Sequence, residues 1–339
     1  MTIPVKPIPA ETNPVGVPPG GGLLTEGLLA RPPFMERVGD LAPRRIKAEA
    51  RFRPHLKNKQ ETSPVIWWRG LAMDLLRWGL TLAGLYERGK HNALDLRLVE
   101  KEIVVDTLPE RLDGFRILQV SDIHLPARFP RFAEKAAAML AGVEVDLCVL
   151  TGDYRWGYYG SLDHVPVQLG RILAGITSRW GTVACLGNHD ILKVGEVLEA
   201  ARIPVLYNEG AAIVQKDAVL WVCGIDDPHN YGCDRLDLAV RDAPEGAFIV
   251  LLSHTPERIS KAEKAGVSLY LTGHTHGGQI RLPVLGALSK NASCTREQAL
   301  GLWRHGKMQG YTTSGLGTTD LPVRYNCPPE AALITLRRG

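Results

Sequence analysis

The sequence predicts a layered α/β domain preceded by a long N-terminal segment of different character. Two observations carry this reading. From Leu96 onward, short apolar runs alternate with helical stretches. Five of those runs end in loops that carry Asp, Asn or His. Before Leu96 the pattern is different: a proline-rich stretch over residues 1–62, then a tryptophan-rich stretch and connector over 63–110, with the α/β domain over 111–339.

Composition narrows the function classes. The 339 residues are 45% hydrophobic and 22% charged, as expected of a chain that buries a core. A formal net charge of +4, with no stripe of aromatics among the Lys and Arg residues, argues against a nucleic-acid binder. Six cysteines lack C-x-x-C spacing, and Cys148 and Cys185 sit in apolar strand-like runs. That argues against a disulfide framework or a structural zinc site and fits a reducing compartment.

Residues 1–62 hold Pro-Pro at 18–19 and 32–33 and a glycine run at 20–22, with little periodicity. The segment reads as a disordered tail, since it offers too little apolar surface to offset its ordering entropy. It has no apolar core of a secretory signal, and Arg44-Arg45 is followed by polar residues rather than the apolar run of a twin-arginine signal. Arg44, Arg45, Lys47, Arg51, Arg53, Lys57 and Lys59 face one acid, Glu49. Ser63 and Pro64 then start a helix to about Tyr86. One arc of that helix carries Arg69, Asp74 and Arg77; the other carries Trp67, Trp68, Leu71, Leu75, Trp78, Leu82 and Tyr86. Three charges argue against a membrane span. The tryptophans and basic neighbours suit an amphipathic helix lying at a membrane surface, the alternative being a helix packed on the domain.

The α/β part reads in order as strands Leu96–Val105, Arg116–Val120 and Val145–Thr151, a helix near Leu162–Ile176, strand Thr182–Leu186 and helix Val194–Ala201. Strands Ile203–Leu206, Ala211–Val214 and Val219–Gly224 follow, then a helix near Arg235–Val240 and strand Phe248–Ser253. Thr255 and Pro256 open a helix to about Ala265, before strand Val267–Leu271.

The chemistry lies in the loops that follow five of these strands: Ser121-Asp122-Ile123-His124, Thr151-Gly152-Asp153-Tyr154, Leu186-Gly187-Asn188-His189-Asp190, Leu252-Ser253-His254-Thr255 and Gly273-His274-Thr275-His276. In an extended segment, His274 and His276 would point into one pocket. Singly, each loop has an ordinary explanation as a turn or a core histidine. Together they gather five of the ten histidines, three aspartates and an asparagine at strand ends. Oxygen and imidazole donors without thiolate suit Mn, Fe, Zn or a similar divalent ion.

The set resembles the calcineurin-like metallophosphoesterases, whose pattern runs D-x-H, G-D, G-N-H-D/E, H and G-H-x-H in this order. The match covers about Phe115 to Leu336. The resemblance implies a four-layer α-β-β-α sandwich with a binuclear metal centre. By motif, Asp122, His124 and His276 would hold one ion, Asn188, His254 and His274 the other, and Asp153 would bridge them. His189 would remain off the metals as a general acid beside the leaving group. Two such ions activate a shared water and clamp phosphoryl oxygens, so a phosphodiester or pyrophosphate would be hydrolysed. The protein phosphatases of this superfamily read G-D-x-x-D-R-G, with an Asp that orients the free histidine and an Arg that grips phosphate. Here Asp153 is followed by Tyr154-Arg155-Trp156-Gly157, which leaves Asp190 or a backbone carbonyl to orient His189 and Arg155 as a substrate contact.

The run from Gly315 through Asp320-Leu321-Pro322-Val323-Arg324-Tyr325-Asn326-Cys327 to Glu330 looks like the ending of the bacterial YkuE/YaeI-type branch. That branch includes membrane-associated enzymes, some of which hydrolyse the pyrophosphate of UDP-diacylglucosamine. Arg324 would either meet a substrate phosphate or pair with Glu330 and hold the loop. The resemblance implies a lipid-linked substrate and a peripheral location on the cytoplasmic face of the membrane. A soluble phosphodiesterase or phosphatase of small metabolites, and a non-catalytic metal-bearing scaffold, are the rival readings.

Overall fold

The computed structural model describes residues 22–51, 64–125, 130–158, 160–287 and 290–339. Three short helices open it: α1 (Leu23–Leu29), α2 (Phe34–Val38) and α3 (Ala42–Ala50). They are followed by α4 (Pro64–Leu82) and α5 (Tyr86–Asn92). Then come β1 (Arg97–Val105), β2 (Arg116–Val120), α6 (Pro130–Leu140), β3 (Leu147–Thr151), α7 (His164–Leu173), β4 (Thr182–Cys185) and α8 (Leu192–Ala200). The second half holds β5 (Glu209–Gln215), β6 (Ala218–Gly224), α9 (Leu236–Arg241), β7 (Phe248–Leu252), α10 (Ile259–Lys264), β8 (Leu269–Thr272), β9 (Gly301–His305), β10 (Met308–Thr312) and β11 (Glu330–Arg338).

Two mixed sheets result, ordered β1-β11-β2-β3-β4 and β9-β10-β8-β7-β6-β5. The period of two explains how they stack. In β2 and β3, Ile117, Leu147 and Val149 point between the sheets, where they meet Val222, Val250, Leu252 and Leu271. Their neighbours Leu118, Val120, Cys148 and Leu150 point outward against Ala133, Ala136, Val165, Leu169 and Leu198 of α6, α7 and α8. On the far side Trp221, Leu251 and Tyr270 pack with Leu236, Ile259 and Ala262 of α9 and α10. The layers are therefore α-β-β-α, as expected.

The disorder expected of residues 1–62 is corrected over 22–51. Helices α1 and α2 each bury one apolar pair at i,i+4 spacing: Leu24 with Leu28 at the end of the inter-sheet core, and Phe34 with Val38 against α8. Pro32-Pro33 and Gly39 cut the pattern into pieces too short to read as a period. Thr25 Oγ1 donates to the Thr182 carbonyl and accepts from the Thr182 amide, tying α1 to the edge of β4. Residues 1–21 and 52–63, with the Ser63 cap, lie outside the described residues.

The helix expected from Pro64 is present, but the packed alternative does not describe its exposed side. Leu75, Trp78 and Leu82 are 63%, 69% and 83% exposed. None of the described helices is long and apolar enough to cross a membrane. Two strand assignments also shift. The run Val145–Thr151 breaks at Asp146, whose carboxylate accepts the Arg116 amide at 2.8 Å. Ile203–Leu206 makes only an isolated bridge, Val205 to Ala184.

Candidate metal centre

Strands β2, β3 and β4 pair in parallel in one sheet, and β7 and β8 pair in parallel in the other. Parallel pairing places the ends of neighbouring strands on one edge, so the five donor loops meet where the two sheets adjoin. Cross-sheet hydrogen bonds fix that meeting. Gln119 Nε2 donates to Thr151 Oγ1 and to the Thr272 carbonyl, and the His274 amide donates to the Asp122 carboxylate at 3.0 Å. The loops approach so closely that a Cβ on Gly187 would collide with Asp153 Oδ1. Only glycine fits there.

The predicted donors converge. His124 Nε2 lies 3.1 Å from His276 Nε2, which is 3.4 Å from Asp122 Oδ1. Asn188 Oδ1 lies 3.0 Å from His254 Nε2 and 2.8 Å from His274 Nδ1. Asp153 Oδ2 sits between the two groups, 3.5 Å from His124 Nε2 and 3.3 Å from His254 Nε2. Asp122, His124, Asp153, His274 and His276 all have positive φ, between 45° and 68°. His274 and His276 thus reach the site through a left-handed turn, not along an extended strand, and their rings serve opposite halves of it. Non-glycine residues seldom adopt this conformation, and such strain clusters where a site demands it.

The hydrogen bonds on the far side of each ring show what the site accommodates. His254 Nδ1 donates to the Thr151 carbonyl at 2.8 Å, His124 Nδ1 to the Arg155 carbonyl at 3.2 Å and His274 Nε2 to the Asn291 carbonyl at 2.8 Å. With the outer nitrogen as donor, the inner one presents a lone pair. Around Asn188 Oδ1, the inner nitrogens of His254 and His274 lie within 3.0 Å and 2.8 Å, so all three can turn lone pairs on one cation, the proton that His254 otherwise holds giving way to it. The residues fit a divalent metal. His276 differs, because its outer Nδ1 lies 3.4 Å from an Arg324 Nη2 donor.

Electrostatics among the donors follow from burial and charge. Burial works to raise the Asp153 carboxyl, but His254, His189 and His124 outweigh it and hold it well below the usual range. Burial raises Asp122. His254 is lifted to about 10 against its burial because Asp153 and Asp122 face it. Burial lowers His274 to about 3, His276 well below its usual value and His189 to about 4, leaving these rings neutral.

His189 lies beside the donors with Nε2 3.9 Å from Asp153 Oδ2. Asp190 does not orient it. The Asp190 carboxylate instead accepts the amides of Asp153, Tyr154 and Gly187, bracing two loops; burial and the charge on Asp153 raise it to about 7. The His189 ring is held by Tyr158, stacked at 4.3 Å, and its Nδ1 is buried with no hydrogen-bond partner among the described residues. Sequence reasoning misses Tyr158, for which the aromatic cluster after Asp153 is the one available signal. Arg155 is buried, with Nη2 directed to the Gly160 carbonyl at 3.5 Å. Arg324 is fully buried too. It neither points to open solvent nor pairs with Glu330, but donates to the carbonyls of Ser314, Gly317 and Cys327, because burial among carbonyls satisfies its fork. Glu330 takes the Tyr311 hydroxyl and the Ser314 amide.

Comparison with known proteins agrees with this geometry. The family model for calcineurin-like phosphoesterases matches residues 115–278. Over 231 residues the chain is 30% identical to phosphodiesterase YaeI of Escherichia coli (strain K12), covering 66% of this chain and 82% of that protein. It is 27% identical to metallophosphoesterase YkuE of Bacillus subtilis (strain 168), covering 79% and 96%. A transmembrane protein with metallophosphoesterase domain from Danio rerio is 29% identical over 72% of this chain, which spans only 58% of that relative. Among solved structures, a 5'-nucleotidase precursor from Thermus thermophilus aligns with a TM-score of 0.38 at 15% identity, over 66% of this chain and 55% of that one. The ordered donor loops, the sandwich that assembles them and the sequence relatives agree, and the chain belongs to the calcineurin-like metallophosphoesterases.

Proposed function

We propose that this metallophosphoesterase hydrolyses a phosphodiester or pyrophosphate bond, in a lipid-linked substrate, at the cytoplasmic face of a membrane. The observation that carries the reading is the meeting of the donor groups at Asp153, with His189 drawn in beside His124 and Asp153. Asp122, His124 and His276 would hold one divalent ion (Mn, Fe or Zn), and Asn188, His254 and His274 the second, with Asp153 shared. Such ions, when bound, supply an activated water and a clamp on the phosphoryl oxygens.

The chain's own residues supply the rest. Asp153 places its carboxylate between the two groups. Its other oxygen accepts the His189 amide at 2.8 Å, which ties the position of His189 to that of the bridge. Tyr158 covers one face of the His189 ring, and His124 meets it edge-on at 4.9 Å. Asp153 favours the charged form of this ring against its burial, and once His189 has taken up a proton it is set to pass it from Nε2 to a departing oxygen. The exposed row of Leu75, Trp78 and Leu82 supports the membrane part of the proposal, as does the name of the transmembrane relative.

Asp153→Ala is expected to lose both ions and His276→Ala chiefly one, read as metal content by mass spectrometry. Two ions per chain retained in Asp153→Ala would remove the shared ligand. His189→Ala should keep its metal and lose little activity on a diester with an aryl leaving group. On an alkyl or sugar leaving group it should lose roughly 10²–10⁴-fold. Equal losses on both would end the general-acid role.

A further inference from the structure

The strongest feature outside the donor set lies in the N-terminal arm. Arg45 of α3 is fully buried. Its Nη2 donates to the Asp190 carbonyl, its Nε to Asp226 Oδ2 and its Nη1 to Glu49 Oε1, each at 2.8 Å. The guanidinium carbon lies 3.2 Å from the centre of the Tyr231 ring. Glu49 in turn accepts the Leu192 amide at 2.7 Å, and the Tyr231 hydroxyl donates to the Asn188 carbonyl at 2.9 Å. The arm therefore grips the backbone of the 188–192 loop at two points, the Asp190 carbonyl and the Leu192 amide, and lies against Tyr231, which takes the Asn188 carbonyl. The same loop carries Asn188 and His189, and its Asp190 carboxylate holds the amides of Asp153 and Gly187.

A fold that needed only a buried apolar face for α3 would have no use for this arrangement. A buried guanidinium between two carboxylates gives little net stability, but its planar fork fixes three acceptors in one geometry. We infer that Arg45 is a positioning residue for the reaction: through Asp190 and Tyr231 it sets the loop that presents Asn188 and His189 and that braces Asp153, so the N-terminal arm is part of the catalytic unit. This rests on the proposed two-metal hydrolysis, in which those three residues hold metal and deliver a proton.

The test uses the full chain. Arg45→Lys keeps the buried positive charge and removes the fork. The variant is expected to fold cooperatively, to bind manganese or turn over a bis(aryl) phosphate roughly 10–100-fold less well, and to keep KM within about twofold. Rates are expressed per folded, metal-loaded molecule, so that partial unfolding does not register as a lower kcat. In Arg45→Ala, methylguanidinium should restore kcat saturably while methylammonium should not. If Arg45→Ala does not fold, the lysine variant decides alone. Wild-type manganese affinity and kcat in Arg45→Lys, or equal rescue by both amines, would overturn the inference. If the wild type turns over no phosphoester, the proposed function fails, whereas the manganese affinities of wild type and Arg45→Lys still judge Arg45.

Discussion

The arm over residues 22–51 and helix α4 are near neighbours in sequence and opposites in placement. The arm is cut by prolines and glycine into short helices, yet Leu24, Leu28, Phe34, Val38 and even the charged Arg45 and Glu49 are buried. Helix α4 is rich in leucine and tryptophan, yet Leu75, Trp78 and Leu82 face outward. Apolar content therefore does not decide which segment joins the body of the protein; available partners do. The arm has them: Arg37 reaches Glu199 and Glu209, Arg45 reaches Asp226, and Phe34 meets Tyr207 edge-on at 5.8 Å. The exposed row of α4 has no comparable partner among the described residues.

If partners rather than apolar content decide, the largest effect is expected in the arm. Phe34 is buried against α8, where a Cβ on Gly195 would collide with its ring, and no smaller side chain fills that gap. Phe34→Ala should cost about 3–5 kcal/mol in denaturant unfolding; a loss under about 1 kcal/mol would mean that the arm is dispensable. Next is removal of α4 itself. Deleting residues 64–82 should shift melting by no more than about 3 °C, preserve turnover of a small soluble diester and abolish flotation with anionic liposomes. Aggregation of the shortened protein would favour a helix packed on the domain. A truncation at Arg88 cannot make this distinction, because it removes the arm and Arg45 as well. The smallest effect is Trp78→Ala, expected within about 0.5 kcal/mol of wild type in stability but weaker on liposomes. Salt should weaken binding further if the basic residues before α4 contribute.

The donor set is legible in the sequence because each member follows an apolar strand within a few residues, and because motif order survives in the sequence whatever the loops do in space. Asp122, His124, Asp153, Asn188, His254, His274 and His276 all come together as that order implies. The arm is not legible, for the opposite reason. The partners that bury Arg45 lie 181 residues away at Asp226 and 145 away at the Asp190 carbonyl, and a carbonyl has no sequence signature. The same holds for the Asn291 and Thr151 carbonyls that orient His274 and His254. Arg324 holds its loop as one expectation had it, but through backbone carbonyls and not through Glu330. Strands β9 and β10 escape a reading by pattern because Trp303, Arg304 and Tyr311 interrupt any clean run of aliphatics.

The left-handed backbone at five of the donors has a consequence for how such a site can decay. Asparagine tolerates positive φ better than most residues and carries a neutral amide in place of a carboxylate. A single aspartate-to-asparagine change at Asp122 or Asp153 would therefore leave the loop geometry standing while stripping charge from the ligand sphere. A β-branched replacement would lose the loop along with the donor. Silencing the chemistry while preserving the shape is thus a short evolutionary step, and a homologue that retired from catalysis to become a binding partner would be recognised by asparagine at these turns.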